Sequence, residues 1–365
     1  MIVKSECTCA EFVNDVTSGK KQIICYGAGM VALSIEDIFQ EFGIAERVCC
    51  FIDIDSSKHG SSIEIASKSV RVYGINDLLK FDLTDKTLLI TCEAFGSVIT
   101  ALNDYQELDD LPCYIFPAIN RSYAAEIISS DRFCNEGYKD INEKPLIPKT
   151  IHYCWFGNEE FSDLMKKCLL SWKKYNPDYQ ITCWNEDTYD VYQNSYMKQA
   201  YQSGNFAFVS DYARLDILYQ HGGLYFDTDV EVLKNLDSLL HNRAFIAYGE
   251  WAMVNSASSG SMPGLEIIRQ MRDTPRGKIG FLNTDGSFNR TTNSVYETDA
   301  LCKLGFIKNF TYQVIGGVAI YPPCFFSSDG ILGITTVDER TYTVHHCSGS
   351  WSDDKEKMKC GVNCK

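Results

Sequence analysis

Short apolar segments alternate with amphipathic helical segments from residue 20 onward, and this alternation restricts the fold more than any other feature of the chain. The stretch KQIICYGAGMVALSIEDIFQEFG gives an apolar strand, a glycine turn and a helix, and RVCCFIDID gives a second strand. The segments VYGINDLLKF, KTLLITCE and LPCYIFPAI continue the pattern. Strands that alternate with helices in this way form parallel sheets, so residues 1–140 are predicted to form an α/β domain.

The glycine turn of this first domain has the sequence context of a dinucleotide-binding turn. Gly27 and Gly29 follow the first strand and open the helix, and Asp53 or Asp55 ends the next strand, where a ribose-binding acid lies in a Rossmann sheet. We therefore predict a Rossmann-like domain in which Gly27, Gly29 and Asp53 bind a ligand. NAD, a nucleotide-sugar and no ligand at all stay open as interpretations. No His, Tyr-Lys or Cys arrangement suited to hydride transfer lies nearby.

Composition and charge exclude several classes of protein. A chain of 365 residues, 45% of them hydrophobic, can bury enough apolar surface for two domains. Its net charge of -14 argues against a nucleic-acid partner. The N-terminal residues lack the apolar region of a signal peptide, and no apolar run reaches about 18 residues. We therefore expect a cytoplasmic protein without a spanning helix.

The cysteines favour reduced core thiols over a disulfide framework or a metal cluster. The chain has 16 cysteines, and they are scattered through apolar segments such as IICYG and LLITCEAF. No CxxC with zinc spacing occurs. A redox pair formed by Cys360 and Cys364 stays open as an alternative.

A second region follows a proline-containing segment. NEKPLIPKT marks a linker at residues 141–149, and a second domain is predicted at residues 150–365. IHYCWFG predicts a strand that ends in aromatic residues, and LLSWKKYNPDYQITCWNED predicts a helix and a strand. NFAFVSDYARLDILYQHGG predicts a helix that ends at Gly222 and Gly223.

The stretch GGLYFDTDVEV, residues 222–232, combines an apolar strand pattern with three carboxylates. In one continuous strand Asp227, Asp229 and Glu231 share a face, and alternate residues lie roughly 7 Å apart. Two carboxylates at that spacing can hold one divalent cation, which also relieves their mutual repulsion. A solvent-facing polar edge and a glycoside-hydrolase dyad are alternatives. An EF-hand is excluded because Val232 occupies the position that requires glycine.

A longer motif surrounds these carboxylates. Asp211 and Arg214 are three residues apart and share a helix face, where a local ion pair is the simplest interpretation. The whole stretch FVSDYARLDILYQHGGLYFDTDVEVL, however, resembles the SD-x-x-R-x-x-x-L-x-x-x-GG-x-Y-x-D-x-D core of glycosyltransferase family 32. That family contains sugar transferases of capsular polysaccharide synthesis and is related to clostridial toxin glucosyltransferases. The resemblance extends over residues 146–352 through IPKTIHYCWFG, YNPDYQITCWNED and YTVHHCSGSW.

The resemblance implies a GT-A type fold and a retaining transfer from a nucleotide-sugar, with a UDP-sugar favoured. It implies a catalytic set of Asp211, Arg214, Asp227 and Asp229. It assigns donor or nucleotide binding to residues from the whole region: Trp155, Asn185, Asp211, Arg214, Asp227, Ser350 and Trp351.

A Mn²⁺ or Mg²⁺ cofactor is implied as well. Asp227 and Asp229 would hold it, and His345 or His346 would assist. Adjacent residues of an extended segment point to opposite faces, so at most one of the two histidines can easily reach the ion. The segment RTTNSVYETDAL departs from the Gly-Pro that many family members have there, which concerns the acceptor side of the site.

Three functional hypotheses follow. The first is a metal-dependent, retaining glycosyltransferase that uses a saccharide or lipid-linked saccharide acceptor in capsular polysaccharide, exopolysaccharide or glycolipid synthesis. Such an enzyme is expected in the cytoplasm, with at most peripheral contact at the inner face of the membrane. The second is an NAD-binding oxidoreductase, and the third is a non-catalytic nucleotide-sugar-binding module.

Overall fold

The computed structural model describes residues 1–130, 142–157, 159–273, 280–328 and 337–348. The chain divides into two compact units. The first consists of Met1–Ser129 together with Ile307–Asn309, and the other described residues belong to the second.

The first unit is built on a seven-stranded sheet in the order β1-β7-β6-β2-β3-β5-β4. All neighbouring pairs are parallel except β4 and β5. In chain order the central strands β5-β3-β2-β6-β7 follow the 3-2-1-4-5 arrangement of doubly wound sheets. The strands are β1 (Ile2–Lys4), β2 (Gln22–Tyr26), β3 (Val48–Ile52), β4 (Ser62–Ile65), β5 (Lys68–Tyr73), β6 (Lys86–Ile90) and β7 (Pro112–Ile115).

Helices connect these strands, so the predicted alternation is confirmed as a mixed α/β structure with a parallel sheet. The helices are α1 (Cys9–Ser18), α2 (Ile35–Glu41), α3 (Ile75–Leu78), α4 (Phe95–Leu102) and α5 (Phe116–Ser129). A capping box begins α1, because the Thr8 side chain accepts from the Glu11 N–H while the Glu11 carboxylate accepts from the Thr8 N–H. Cys25 and Cys113 are fully buried in the sheet as free thiols. Cys360 and Cys364 lie outside the described residues.

The second unit contains a larger and a smaller sheet. The seven-stranded sheet has the order β14-β15-β12-β13-β10-β8-β9, and the three-stranded sheet has the order β11-β17-β16. The strands are β8 (Thr150–Cys154), β9 (Gln180–Trp184), β10 (Gly223–Phe226), β11 (Val230–Val232), β12 (Ala244–Tyr248), β13 (Val254–Ser261), β14 (Gln313–Ile315), β15 (Val318–Tyr321), β16 (Phe326–Ser328) and β17 (Thr343–His345).

Helices of the second unit pack against these sheets or against one another. None of the helices in the described part of the chain combines the length and the apolar character needed to span a membrane. The helices are α6 (Asp163–Tyr175), α7 (Ser195–Gln202), α8 (Phe206–His221), α9 (Glu266–Asp273) and α10 (Asn293–Cys302).

The prediction of one continuous strand over residues 222–232 is wrong. The chain leaves the larger sheet after Phe226, turns through residues 227–229 and enters the smaller sheet as β11. The turn is closed by a hydrogen bond of 3.0 Å from the Val230 N–H to the Asp227 carbonyl. Beyond it, Glu231 pairs with Val344 of β17, so the third carboxylate belongs to a different sheet from the strand that precedes Asp227.

Gly222 ends α8 as predicted. Its φ of 65° and ψ of −164° place it in a region that only glycine occupies readily. A Cβ at this position would lie 2.8 Å from the Pro263 nitrogen and 2.9 Å from the Ser261 carbonyl oxygen. The helix can therefore pass directly into β10 only through glycine.

His152 joins this corner to the parallel strands. Its side chain is buried in β8, its Nδ1 lies 3.1 Å from Trp184 Nε1, and its Nε2 lies 2.9 Å from the Gly222 carbonyl oxygen. Because the indole N–H can only donate, Nδ1 must accept and Nε2 carries the proton. Both nitrogens of the neutral ring are therefore satisfied, and burial lowers the pKa of His152 to about 4.

Replacing Gly222 by alanine is expected to lower the free energy of unfolding by at least about 2 kcal/mol, since strain and steric overlap add together. Gly264 provides a matched control, because its φ is also positive at 73° but its Cβ would meet open space. Gly264→Ala should cost about 1 kcal/mol, because a non-glycine residue is unfavourable in the left-handed region. Urea denaturation of both variants checks this, and equal losses would contradict the steric argument.

The His152 contacts also predict a pH dependence of stability. Since the pKa falls from 6.5 in the unfolded chain to about 4 in the fold, the stabilisation is complete above pH 6.5 and is lost as the pH falls towards 4. The loss should reach about 3 kcal/mol, and His152→Gln should lack this part of the pH dependence. Urea denaturation at pH 7 and pH 4.5 compares the two proteins. Parallel pH profiles would show that the imidazole does not titrate as described.

Candidate active site

Three parallel strands of the second unit end at the same edge of the larger sheet. β8 is hydrogen-bonded to both β9 and β10, with Cys154 opposite Trp184 and His152 opposite Tyr225. Trp155, Asn185 and Asp227 follow the last residues of these strands, so the structure brings these three predicted residues to one edge. Ligands of open α/β sheets bind beyond the carboxyl ends of the strands. This edge is therefore the candidate active site.

Arg214 is the central cation of the site. Its side chain on α8 is only 7% exposed, and its Nη2 lies 3.1 Å from both Asp211 Oδ1 and Asp227 Oδ1. Nη1 lies 3.4 Å from Asp227 Oδ2, and Nε donates to the Ser210 carbonyl. All three guanidinium nitrogens thus face oxygen atoms of the chain itself. In this arrangement Arg214 positions two carboxylates, and a direct contact with a ligand would require it to exchange one of them.

Asp227 combines burial with partial access to solvent. Its side chain is 25% exposed, and Oδ1 also accepts a hydrogen bond of 3.1 Å from the Tyr225 hydroxyl. Burial raises the pKa of Asp227, and the positive charge of Arg214 opposes that shift. The carboxylate is therefore held in one orientation at the end of β10 while an edge of it can reach a ligand.

Asp229 lies across the turn and contacts the segment around β17. Its Oδ1 is 3.3 Å from His345 Nε2, and its Oδ2 accepts from the Ser348 N–H and hydroxyl, each at 2.8 Å. Burial alone would raise the pKa of Asp229, but the hydrogen bonds from His345 and Ser348 hold it below its usual range. Asp229 is therefore a stable anion at neutral pH.

The two adjacent histidines contact different carboxylates. His345 reaches Asp229, whereas His346 Nε2 lies 3.0 Å from Glu231, which also accepts from Lys167 at 2.7 Å. Burial works against protonation of His345, but Cys347 and Asp229 hold its pKa well above the usual value. Of the two imidazoles, the structure thus places that of His345 beside the aspartate pair, and the metal-binding roles of both histidines stay predictions.

Trp155 and Asn185 lie at the edge but also have local partners. The Trp155 ring stacks on Phe161 with centroids 4.5 Å apart, and its N–H donates to the Glu159 carbonyl. The Asn185 side-chain Oδ1 accepts from the Asp187 N–H at 3.1 Å and so closes a turn. Ser350 and Trp351, the other predicted donor-binding residues, lie outside the described residues.

The donor set at the turn suits a hard divalent cation. Within the described ranges no three or more His, Cys, Asp or Glu side chains converge on one point. Mg²⁺, however, is commonly bound through one or two carboxylates, with substrate phosphates and waters as the remaining ligands, and Mn²⁺ accepts the same oxygen donors. Asp227 and Asp229 fit an ion of this kind.

The predicted ligand-binding residues of the first unit also come together. Gly27, with a φ of 112°, forms the turn after β2, and the Asp53 carboxylate accepts from the Ala28 N–H at 2.8 Å. Lys58 Nζ lies 2.9 Å from the same oxygen. A Cβ at Gly29 would meet open space. In this arrangement Asp53 stabilises the glycine turn, and ligand binding by Gly27, Gly29 and Asp53 stays a prediction.

Sequence reasoning missed a buried polar group behind Arg214. Ser256 on β13, and Asn293 and Glu297 on α10, connect to its guanidinium and are nearly inaccessible to solvent. The available signal is the i,i+4 spacing of Asn293 and Glu297 in the segment RTTNSVYETDAL, which places the two side chains on one face of a helix.

Comparison with known proteins agrees with this location of the site. Residues 162–246 match a family described as a glycosyltransferase sugar-binding region containing a DXD motif. The chain is similar to inositol phosphoceramide mannosyltransferase 3 of Schizosaccharomyces pombe, at 26% identity over 167 residues, covering 42% of this chain and 44% of the relative. Inositol phosphoceramide mannosyltransferase 2 of the same organism is 26% identical over 141 residues, covering 35% of this chain and 38% of the relative.

The chain thus spans less than half the length of these curated relatives. Among solved structures, the chain is similar to the PaToxG glycosyltransferase at 20% identity, and the match covers 52% of this chain and 79% of that chain with a TM-score of 0.36. The family match and the mannosyltransferase relatives support a glycosyltransferase enzyme. The assignment to family 32 and a role in capsule synthesis stay predictions.

Arg214→Met is expected to lower the free energy of unfolding by about 3 kcal/mol, because it leaves two carboxylates without their buried counter-charge. Arg214→Lys should lower the free energy of unfolding by less, since lysine keeps the positive charge but lacks the planar set of guanidinium donors. Arg269→Met removes an exposed ion pair on α9 and should have a much smaller effect. Urea denaturation measures all three, and an Arg214→Met loss no larger than that of Arg269→Met would contradict the assignment.

Proposed function

We propose that the chain is a retaining, metal-dependent glycosyltransferase that moves a sugar from a nucleotide-sugar, with a UDP-sugar favoured, to a saccharide or lipid-linked saccharide. The observation that supports this most strongly is the placement of Asp227 and Asp229 in a turn at the carboxyl edge of β8, β9 and β10, with Arg214 fixing Asp227 from behind. The match to a DXD sugar-binding region, residues 162–246, includes Arg214, Asp227 and Asp229.

The chemistry follows from charge. Cleavage of the sugar–diphosphate bond builds negative charge on the leaving group while the sugar becomes oxocarbenium-like. A Mn²⁺ or Mg²⁺ ion held by Asp229 and Asp227 would supply Lewis-acid stabilisation of that leaving diphosphate. Asp229 can serve because its partners keep it ionised, and Asp227 can serve because Arg214 and Tyr225 fix its orientation.

Asp211 supplies the sugar side of the proposed site. Its side chain is 15% exposed, and Arg214 Nη2 holds one of its oxygens at 3.1 Å. A carboxylate held in this way can accept hydrogen bonds from hydroxyl groups of the donor sugar. No residue is assigned as a covalent nucleophile, so attack by the acceptor hydroxyl on the face from which the diphosphate leaves is the mechanism we propose for retention.

The proposal also assigns residues to the nucleotide and a chemical class to the acceptor. We assign Trp155 and Asn185 to the nucleotide because both follow strands that end beside Asp227, and Ser350 and Trp351 to the diphosphate on the family resemblance alone. The relatives named as inositol phosphoceramide mannosyltransferases make a lipid-linked acceptor a natural candidate. We place the reaction in the cytoplasm, at the inner face of the membrane when the acceptor is a lipid.

Release of nucleoside diphosphate from a panel of UDP- and GDP-sugars should require added Mn²⁺ or Mg²⁺ and should stop when a chelator removes the metal. Asp229→Asn should lower the rate by about 100-fold or more, because it removes the anion that holds the ion. Asp178→Asn, at an exposed position on the loop before β9, is the matched control and should leave the rate unchanged. Chelator-insensitive release, or full activity of Asp229→Asn, would refute the metal role. No release from any donor would favour a binding module.

A further inference from the structure

The buried polar group behind Arg214 forms a continuous chain of contacts from α10 to the aspartates. Ser256 Oγ lies 3.5 Å from Arg214 Nη1 and accepts a hydrogen bond of 2.7 Å from Asn293 Nδ2. The same Asn293 nitrogen donates to Glu297 Oε1 one helical turn further on. Arg214 in turn contacts Asp227. The chain therefore runs from α10 through β13 to the centre of the site.

Burial makes this group energetically consequential. Glu297 is completely inaccessible to solvent, and Asn293 and Ser256 are 7% and 1% exposed. Polar groups in such places are costly unless they are mutually satisfied, so they also resist rearrangement. The Asn293 amide is directed by a carboxylate that water cannot reach, which leaves it one orientation towards Ser256.

The geometry around Arg214 shows what this contact adds. Asp211 and Asp227 face Nη2, whereas Nη1 has two longer contacts, Asp227 Oδ2 at 3.4 Å and Ser256 Oγ at 3.5 Å. Ser256 is the contact that β13 provides to Nη1. A guanidinium that can rotate about its long side chain would carry the Asp227 carboxylate with it, so a fixed point on Nη1 limits the movement of both.

We propose that Asn293, oriented by Glu297 and acting through Ser256, is a positioning residue that fixes Arg214 and hence the Asp227 carboxylate. This inference rests on the proposed transferase function for its effect on activity. In this proposal Asn293 contacts neither the donor nor the metal. Its role is to keep one carboxylate of the pair in place while charge develops on the leaving group.

The same helix contains a matched control position. Thr298 Oγ1, next to Glu297 on α10, accepts a hydrogen bond of 3.0 Å from the Val254 N–H of β13. Thr298→Val therefore removes one buried hydrogen bond from the same helix–strand interface without touching the chain to Arg214. A purely structural role for Asn293 would make the two variants alike.

Donor turnover by the full chain tests the proposal in a double-mutant cycle. Asn293→Ala and Ser256→Ala should each lower kcat/KM for nucleoside diphosphate release by about 10-fold, as loss of an outer positioning contact does. The double variant should also stay near 10-fold, because both changes interrupt one path, whereas independent effects would multiply to about 100-fold. Ser256→Thr should retain activity, and Thr298→Val should remain within about twofold of the native chain.

A second measurement does not depend on turnover. In the full chain labelled with ¹⁵N-arginine, the Arg214 Nε–H signal, identified from its absence in Arg214→Lys, should shift and exchange faster with water in Asn293→Ala and Ser256→Ala. It should be unchanged in Thr298→Val. If the native chain releases nothing from any donor, the proposed function fails, and the Arg214 signal still decides the positioning. The inference would be overturned if the effects of Asn293→Ala and Ser256→Ala on kcat/KM multiplied in the double variant. It would also be overturned if the Arg214 signal were unchanged in Asn293→Ala.

Discussion

A single buried guanidinium determines how the second unit arranges its charged residues. Arg214 lies in the middle of α8. Its nitrogens contact the carboxylate of Asp211 on α8, the carboxylate of Asp227 in the turn after β10 and the hydroxyl of Ser256 on β13. Isolated charges are expensive inside a protein, and those that remain are paired. Helix, turn and strand must therefore adopt positions that satisfy the same cation, and that requirement places Asp227 at the carboxyl edge of the sheet.

The sequence predicts much of this arrangement because its strongest signals are local. Alternating strands and helices predict parallel sheets, and the glycines that end α8 follow from the need for a conformation that few other residues adopt. Asp211 and Arg214 share a helix face by spacing alone. The family resemblance then directs attention to residues that the structure does bring to one edge, among them Trp155 and Asn185.

Other features depend on pairing between distant segments, which no local pattern contains. The alternation in GGLYFDTDVEV favours one strand, but β11 pairs with β17, more than a hundred residues later, and this pairing draws the chain out of the larger sheet at Asp227. The same pairing directs His345 to Asp229 and His346 to Glu231. No local pattern predicts the contacts among Asn293, Glu297 and Ser256, because these residues meet only where α10 packs on β13.

The origin of the contacts to Asp229 has a consequence for the order in which the protein matures. Both oxygens of this carboxylate are held by residues of the segment 345–348, 119 positions downstream in the case of Ser348. Chains are synthesised from the N-terminus, and earlier parts begin to fold first. During synthesis α8 and β10 can pack together while Asp229 still lacks these partners. A nascent chain can therefore form its larger sheet before its aspartate pair is set, because the smaller sheet needs β17 from the same late segment. Full function is thus reserved for molecules whose translation has passed this segment.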